Sequence, residues 1–167
     1  MQSPASPQPV HYFVVPCGAE KVAHDAPAAE LYTGSLFQEV LANVVDEARA
    51  TEELLGEPVQ VLILSALHGF LTLEEVVAPY SVKMGQAGSI TAEQLAVQVE
   101  ARGMAEAQVW SFLPNAYRVR LEAALAAHGG FTTNVYEGVR GCGDQKRVAK
   151  TMRSGDEACA RELALAA

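Results

Sequence analysis

The sequence predicts an α/β fold, a three-layer α/β/α domain with a mostly parallel central sheet of about four strands. Short apolar runs alternate along the chain with segments of helical periodicity. The run 59–65 is apolar almost throughout, which is typical of a strand covered by helices on both faces of a parallel sheet. The chain has 167 residues, 50% of them hydrophobic, which suits a single domain with a substantial core.

The first half of the chain begins with a predicted flexible leader over residues 1–9, which carries Pro4 and Pro7 among small polar residues. A first strand is predicted over His11–Pro16, an aromatic and β-branched run that ends at proline. Apolar residues three and four apart then predict a helix from about Gly34 to Ala50, before the strand 59–65.

Capping boxes mark two further helix starts in the sequence. Thr91 and Gln94 form one pattern, and the helix behind it is expected to end near Gly103. Thr72 and Glu75 form the other, so Glu75 is expected to serve a helix N-terminus.

The remaining elements complete one domain over residues 10–153. A third strand is predicted over 108–113, with Pro114 at the first position of the next helix and Gly129 at its end. The run 131–136 predicts a fourth strand, and residues 154–167 predict a C-terminal helix.

Charge and composition exclude several classes of function. Twelve basic against 20 acidic residues, a net charge of −8, argue against a protein that coats nucleic acid by bulk charge. The apolar runs are too short to span a bilayer, and no secretory signal opens the chain, so we expect a cytoplasmic protein without a membrane partner. Three distant cysteines and four histidines without ligand spacing predict no disulfide framework, no metal and no cofactor.

In sheets of this kind, ligands bind beyond the carboxyl ends of the strands. The turn after the first strand offers a thiol, a flexible residue, a carboxylate and an ammonium group, from Cys17, Gly18, Glu20 and Lys21. Cys17 is either a nucleophile or a small buried residue that closes the strand, and Lys21 is either an anion contact or a solvated lysine.

Three further regions carry candidate side chains. The helix start at Ser35 fits a phosphate or carboxylate, or is simply a helix cap. His68 follows the strand that ends at Ser65 and lies where a proton donor or acceptor is useful, although a structural loop histidine is the alternative. Asn115 can read a base edge, and Tyr80 and Tyr117 can stack on a base or pack in the core.

A late segment, residues 138–153, reverses the acidic balance. It contains five basic residues against Asp144 alone: Arg140, Lys146, Arg147, Lys150 and Arg153. The spacing of Lys146, Lys150 and Arg153 places them on one helix face, which either contacts an anion or is a solvated surface.

Several motifs in order resemble known families. The motifs Val14–Gly18, Ala29–Phe37 and Leu64–Leu71 resemble a family of small bacterial and phage domains of unassigned function. The segment Glu74–Gly85 resembles the proline–tyrosine segment of the YaaA peroxide-stress proteins, and Asn115–Tyr117 matches their next shared position. The likeness covers residues 14–152 and extends distantly to uracil-DNA-glycosylase-type α/β domains.

The resemblance implies DNA binding, protection from oxidative damage, and base excision or exchange. The chain departs from the glycosylases because it lacks their water-activating aspartate after the first strand, and Glu20 matches only by position. It is also too short for the helix-hairpin-helix insert of the larger YaaA proteins.

The leading expectation is a nucleobase-processing, N-glycosidase-like hydrolase that acts on a nucleotide or a flipped DNA base. His68 or Glu20 would assist water or the leaving group, because a nearby carboxylate suits the positive charge that develops on the sugar. The expected substrate contacts are Cys17, Gly18, Lys21, Tyr32, Ser35, Ser65, Tyr80, Asn115, Tyr117 and Lys146. The alternatives are a non-catalytic DNA-binding stress or phage accessory protein and a nucleotide-binding sensor.

Overall fold

The structure is a computed structural model that describes residues 11–135. The predicted leader, the predicted C-terminal helix over 154–167 and the basic segment 138–153 lie outside these residues. In chain order the elements are β1 (His11–Pro16), β2 (Ala26–Pro27), α1 (Ala28–Leu31), α2 (Ser35–Leu55), β3 (Val59–Ser65), β4 (Gly69–Leu71), β5 (Val76–Val77), α3 (Ala92–Arg102), a 3₁₀ turn (Met104–Glu106), β6 (Gln108–Ser111), α4 (Asn115–Ala126) and β7 (Thr132–Asn134).

The central sheet confirms the α/β prediction and its mostly parallel character. Within the described residues it has five strands in the order β4-β3-β1-β6-β7. β1 is parallel to β3 and to β6, β6 is parallel to β7, and only the edge strand β4 runs antiparallel, beside β3. β2 and β5 form a separate antiparallel pair. The sheet has one strand more than predicted because β4 turns back directly from β3.

Side chains of β1 alternate between the two layers that cover the sheet. Phe13 and Val15 are buried in the layer that contains α2, where the Phe13 ring lies 6.4 Å from the ring of Trp110. Tyr12 and Val14 are buried in the opposite layer, against apolar residues of α3 and α4. The domain therefore has the predicted three layers.

Helix ends follow local signals that the sequence displays. At the start of α3, Gln94 N donates to Thr91 Oγ1 at 3.1 Å and Thr91 N donates to Gln94 Oε1 at 3.0 Å, which confirms the capping box. Gly103 ends this helix in the left-handed conformation, with φ 65°. The end predicted for α2 near Ala50 is wrong, because the helix continues until Gly56 takes the same conformation.

The helix predicted after Thr72 is absent. Glu75 Oε1 does accept from Thr72 N at 3.2 Å, as in a capping box, but the contact closes a turn. The chain then enters β5, where Val76 and Val77 pair with β2. β-branched valines and the following Pro79 favour an extended chain, and pairing with β2 supplies the hydrogen bonds.

The third predicted strand ends earlier than expected, and the helix after it starts one residue later. β6 ends at Ser111, and Pro114 is the N-cap of α4 rather than its first helical residue. No helix within residues 11–135 is long and apolar enough to cross a membrane.

Candidate functional site

The loop that follows β1 is held over the middle of the sheet. β1 is the central strand, so its carboxyl end lies between those of β3 and β6. Lys21 forms a β-bridge with Tyr32, and Thr33 N donates to Glu20 O at 2.9 Å. These contacts tie residues 17–21 to the segment that leads into α2 and fix the side chains of this turn above the sheet edge.

Two neighbouring cavities open at this edge and share a wall. The first, of about 330 Å³, is here called the apolar cavity; it is lined by Pro16, Glu20, Gly34, Ser35, Leu36, Phe37, Val40, Phe112 and Pro114. The second, of about 440 Å³, is the lysine cavity, lined by Lys21, Tyr80, Ser81, Val82, Lys83 and Met84. The wall common to both consists of Cys17, Gly18, Ala19 and Tyr117. We call the pair the composite cavity.

Cys17 and Tyr117 connect the end of β1 to the start of α4. Cys17 is a free thiol, and its Sγ lies 3.2 Å from Tyr117 Oη. Burial, together with the charge of a Cys17 thiolate, raises the pKa of Tyr117 above its ordinary value. The Tyr117 hydroxyl therefore stays protonated at neutral pH and can donate a hydrogen bond at the shared wall.

A chain of hydroxyl groups connects the wall of the lysine cavity to the buried core. Tyr80 Oη lies 2.7 Å from Ser65 Oγ and 2.6 Å from Tyr32 Oη. Burial raises the pKa of Tyr32 to about 12 and raises that of Tyr80 further, so both phenols remain neutral. Ser65 and Tyr32 are fully buried, whereas Tyr80 reaches the cavity.

The hydroxyl of Tyr80 lies within hydrogen-bond distance of two buried hydroxyl groups, and Tyr80 also lines the lysine cavity. Ser65 Oγ accepts from the backbone N–H groups of Leu67, at 3.2 Å, and His68, at 3.0 Å, so its own proton is donated to Tyr80. Either oxygen of the Tyr32–Tyr80 pair can be the donor. Tyr80 lines the lysine cavity, and its hydroxyl lies between those of Ser65 and Tyr32.

Lys21 lies across these rings. Its Nζ is 4.3 Å from the centroid of the Tyr80 ring and 5.5 Å from that of Tyr32, within the range of cation–π contacts. Burial lowers the pKa of Lys21, and the charge of a Cys17 thiolate acts in the opposite direction. The rings therefore hold a partly desolvated ammonium group at the wall of the lysine cavity.

The structure brings together most of the predicted site residues. Seven of them line the composite cavity: Cys17, Gly18, Glu20, Lys21, Ser35, Tyr80 and Tyr117. Tyr32 and Ser65 lie beneath Tyr80 and contact the cavity through it. This clustering agrees with the rule that placed candidate residues at the carboxyl ends of parallel strands.

Two predicted residues lie elsewhere, and a third is not among the described residues. His68 is exposed and lines neither cavity; its ring meets the Tyr80 ring edge-on, with centroids 5.5 Å apart. Asn115 is also exposed and outside the lining, and its Oδ1 accepts from Arg118 Nη2 at 2.6 Å. Lys146 lies outside the described residues.

Sequence reasoning missed Lys83 and the aromatic lining of the apolar cavity. Lys83 comes three residues after Tyr80, and its place in the same motif, Glu74–Gly85, was the available signal. Phe37 and Phe112 had no such signal, because apolar residues of this kind are typical of any core.

Within residues 11–135, no group of three or more His, Cys, Asp or Glu side chains is placed to hold a metal ion.

Comparison with known proteins assigns a family to the chain. Neither the curated proteins nor the solved structures give a match. The profile of one family matches residues 12–151, which include nearly all of the domain described above. The chain belongs to DUF6884, a family of unknown function.

Proposed function

We propose that the protein is an N-glycosidase that binds a nucleotide or a flipped base in the composite cavity and hydrolyses the bond between base and sugar. The observation that carries this proposal is the division of the composite cavity into an apolar half and a cationic half, joined at Cys17 and Tyr117. A nucleotide is divided in the same way, with a planar base at one end and phosphate at the other. Each half has the size of a small-molecule site.

The apolar cavity suits the base. Tyr117 supplies accessible aromatic surface and Pro114 adds a flat apolar contact, while the buried rings of Phe37 and Phe112 form the apolar floor behind them. Stacking of bases on aromatic side chains is tolerant of base identity and contributes about 1–3 kcal/mol per base. A base in this cavity places the sugar at the shared wall, beside Cys17 Sγ and Tyr117 Oη.

Glu20 is the carboxylate of the proposed reaction, since it is the one acidic residue of the described part of the chain that lines either cavity. As the C1′–N bond breaks, its electron pair moves to the base, which takes a proton from solvent. Positive charge develops on the sugar, and the Glu20 carboxylate stabilises it. Water attacks C1′ and gives its proton to Glu20, so the products are the free base and the sugar or sugar phosphate.

His68 has a different part in this proposal from the one that the sequence suggested. It contacts Tyr80 and lines neither cavity, so we assign it as a positioning residue for the Tyr80 ring. The resemblance that the motifs suggest to YaaA proteins and to uracil-DNA-glycosylase-type domains is a second reason to propose base chemistry. Membership of DUF6884 is compatible with this reaction and assigns no other.

The test is mass spectrometry for free base after incubation of the full chain with nucleosides, nucleotides and DNA. We expect base release by the wild type and a loss of at least about 100-fold in Glu20→Gln, the range for removal of an acid–base group. Glu30→Gln is the matched control, because Glu30 is an exposed carboxylate of α1 outside both cavities. Absence of base release from every substrate would contradict the proposal.

A non-catalytic nucleotide sensor is the second candidate. It is favoured by the exposure of Glu20, whose carboxylate has no hydrogen bond or ion pair to a described side chain. A sensor would bind nucleotide in the same cavity and release no base. The DNA-binding alternative depends on the basic segment 138–153, and a steep loss of DNA affinity with salt would support it.

A further inference from the structure

We propose that the lysine cavity binds the terminal phosphate of a nucleoside monophosphate, so that the ligand is a monomeric nucleotide rather than a base flipped from DNA. This inference deepens the proposed function and rests on it for the identity of the base-containing half of the ligand. The preference for a terminal phosphate follows from the charges and donors of the lysine cavity itself.

Positive charge is concentrated at the lysine cavity. Lys21 and Lys83 are the two lysines among residues 11–135, and both line this cavity. Among residues 11–135, no Asp or Glu lines it, although the whole chain has 20 acidic residues against 12 basic ones. A concave site with two ammonium groups and no carboxylate attracts anions even on an acidic protein.

Neither lysine of this cavity is neutralised by a described carboxylate. Ion pairs in this part of the chain join His11 to Glu57, Arg102 to Glu75 and Arg118 to Glu122. Lys21 Nζ donates instead to the backbone oxygen of Ala19, at 3.1 Å. Because Lys21 is partly buried, its charge has lost part of its hydration, and a bound anion would compensate for that loss.

The hydroxyl group of Tyr80 adds a neutral donor to this cavity. Tyr80 lines the cavity and its Oη lies 2.7 Å from Ser65 Oγ and 2.6 Å from Tyr32 Oη, so reorientation of these hydroxyl groups lets Tyr80 donate to a ligand. The cavity therefore presents two ammonium groups and one neutral donor, which are the groups that phosphate oxygens accept from.

The apolar cavity is a poorer place for the phosphate. The N-terminus of α2, at Gly34 and Ser35, does line it, and a helix N-terminus carries about half a positive charge. Glu20 lines the same cavity with a full negative charge, which outweighs that contribution. The base therefore belongs in the apolar cavity, and the phosphate belongs beside Lys21 and Lys83.

The charge on the phosphate distinguishes a free nucleotide from a nucleotide within DNA. A terminal phosphate monoester has a second pKa near 6 and carries roughly two negative charges at neutral pH. A phosphodiester within DNA carries one, and its chain must leave the site in two directions. Two lysines and a hydroxyl donor match the dianion, so we infer a nucleoside monophosphate.

Isothermal titration calorimetry of the full chain tests this inference with four probes. They are the common nucleoside 5′-monophosphates, the matching nucleosides, ribose 5-phosphate and a single-stranded DNA oligonucleotide. We expect the monophosphates to bind at least about tenfold more tightly than the nucleosides, the effect of one strong charged contact. Lys21→Gln and Lys83→Gln should each remove about tenfold in affinity for the monophosphates and for ribose 5-phosphate, with little change for nucleosides.

Arg49→Gln is the matched control, because it removes one positive charge from α2 outside the composite cavity. Equal affinity for nucleosides and monophosphates would overturn the inference. So would a monophosphate preference that survives both lysine substitutions, or tighter binding of the oligonucleotide with the same lysine dependence.

The outcomes separate this inference from the proposed reaction. Lysine-dependent binding of monophosphates without base release would uphold the phosphate site and refute the hydrolase. Base release from nucleosides and monophosphates with equal efficiency would uphold the hydrolase and refute the phosphate site.

Discussion

Glu47 is a buried carboxyl group without a hydrogen-bond partner for its Oε1 atom, and it makes the stability of the fold depend on pH. It lies on α2 with 4% of its surface exposed. Asn43 and Thr51, one turn away on either side, are also buried with unpartnered side-chain oxygens. Burial raises the pKa of Glu47 to about 7. An ionised Glu47 is therefore costly in the folded protein.

The direction of the pH effect follows from proton binding. In the unfolded chain Glu47 titrates near its ordinary value of 4.5, whereas in the folded protein it titrates at about 7. Between these values the folded protein retains a proton that the unfolded chain has lost. The free energy of unfolding therefore decreases as pH rises through this interval and levels off above it, by about 3 kcal/mol in total.

Glu47→Gln removes the titration and nearly preserves the shape of the side chain. We expect urea unfolding to show the variant more stable than the wild type by up to about 3 kcal/mol at pH 8, with a difference that shrinks toward pH 5. Glu53→Gln, an exposed position on the same helix, is the control and should follow the wild type. Parallel pH profiles for wild type and Glu47→Gln would refute the reasoning.

Three further predictions concern local features. Gly69→Ala should reduce the free energy of unfolding in urea by about 2 kcal/mol or more, because Gly69 has φ +79° and a Cβ atom would collide with the Gln98 side chain; a neutral effect would show that the turn is not constrained. Thr91→Ala should cost about 1 kcal/mol in the same assay and Thr91→Ser much less, since serine retains the cap; equal losses would contradict the capping role. Tyr80→Phe should weaken ribose 5-phosphate binding about tenfold by calorimetry without changing the fold, and unchanged binding would exclude the Tyr80 O–H as a donor.

Much of the fold was predictable because its main elements have strong local patterns. β1 and β3 occupy the predicted ranges, and the capping box at Thr91 starts α3 as expected. The short strands were not predictable, since β4 has three residues and β5 has two, and each is defined by its pairing partner. The helix predicted after Thr72 was wrong for a similar reason. The Glu75 carboxylate does accept from Thr72 N, as the capping pattern predicts, but the next residues pair with β2 and form a strand.

The site was partly predictable for a topological reason. Residues directly after β1, such as Glu20 and Lys21, could be located because a central parallel strand directs its carboxyl end to the binding edge. Lys83 was missed, because its position at the lysine cavity depends on the path of the loop after Tyr80 and not on the end of a strand. Ser65 and Tyr32 were expected to touch substrate, and only the structure shows that they lie under Tyr80.

The measurement that tests the central claim most directly is hydrolysis of nucleoside monophosphates in ¹⁸O-labelled water, followed by mass spectrometry. Water attack at C1′ predicts free base and sugar phosphate in equal amounts, with one ¹⁸O atom in the sugar phosphate and none in the base. No free base, or free base together with an unlabelled sugar product, would contradict the account of the composite cavity as the site of an N-glycosidase.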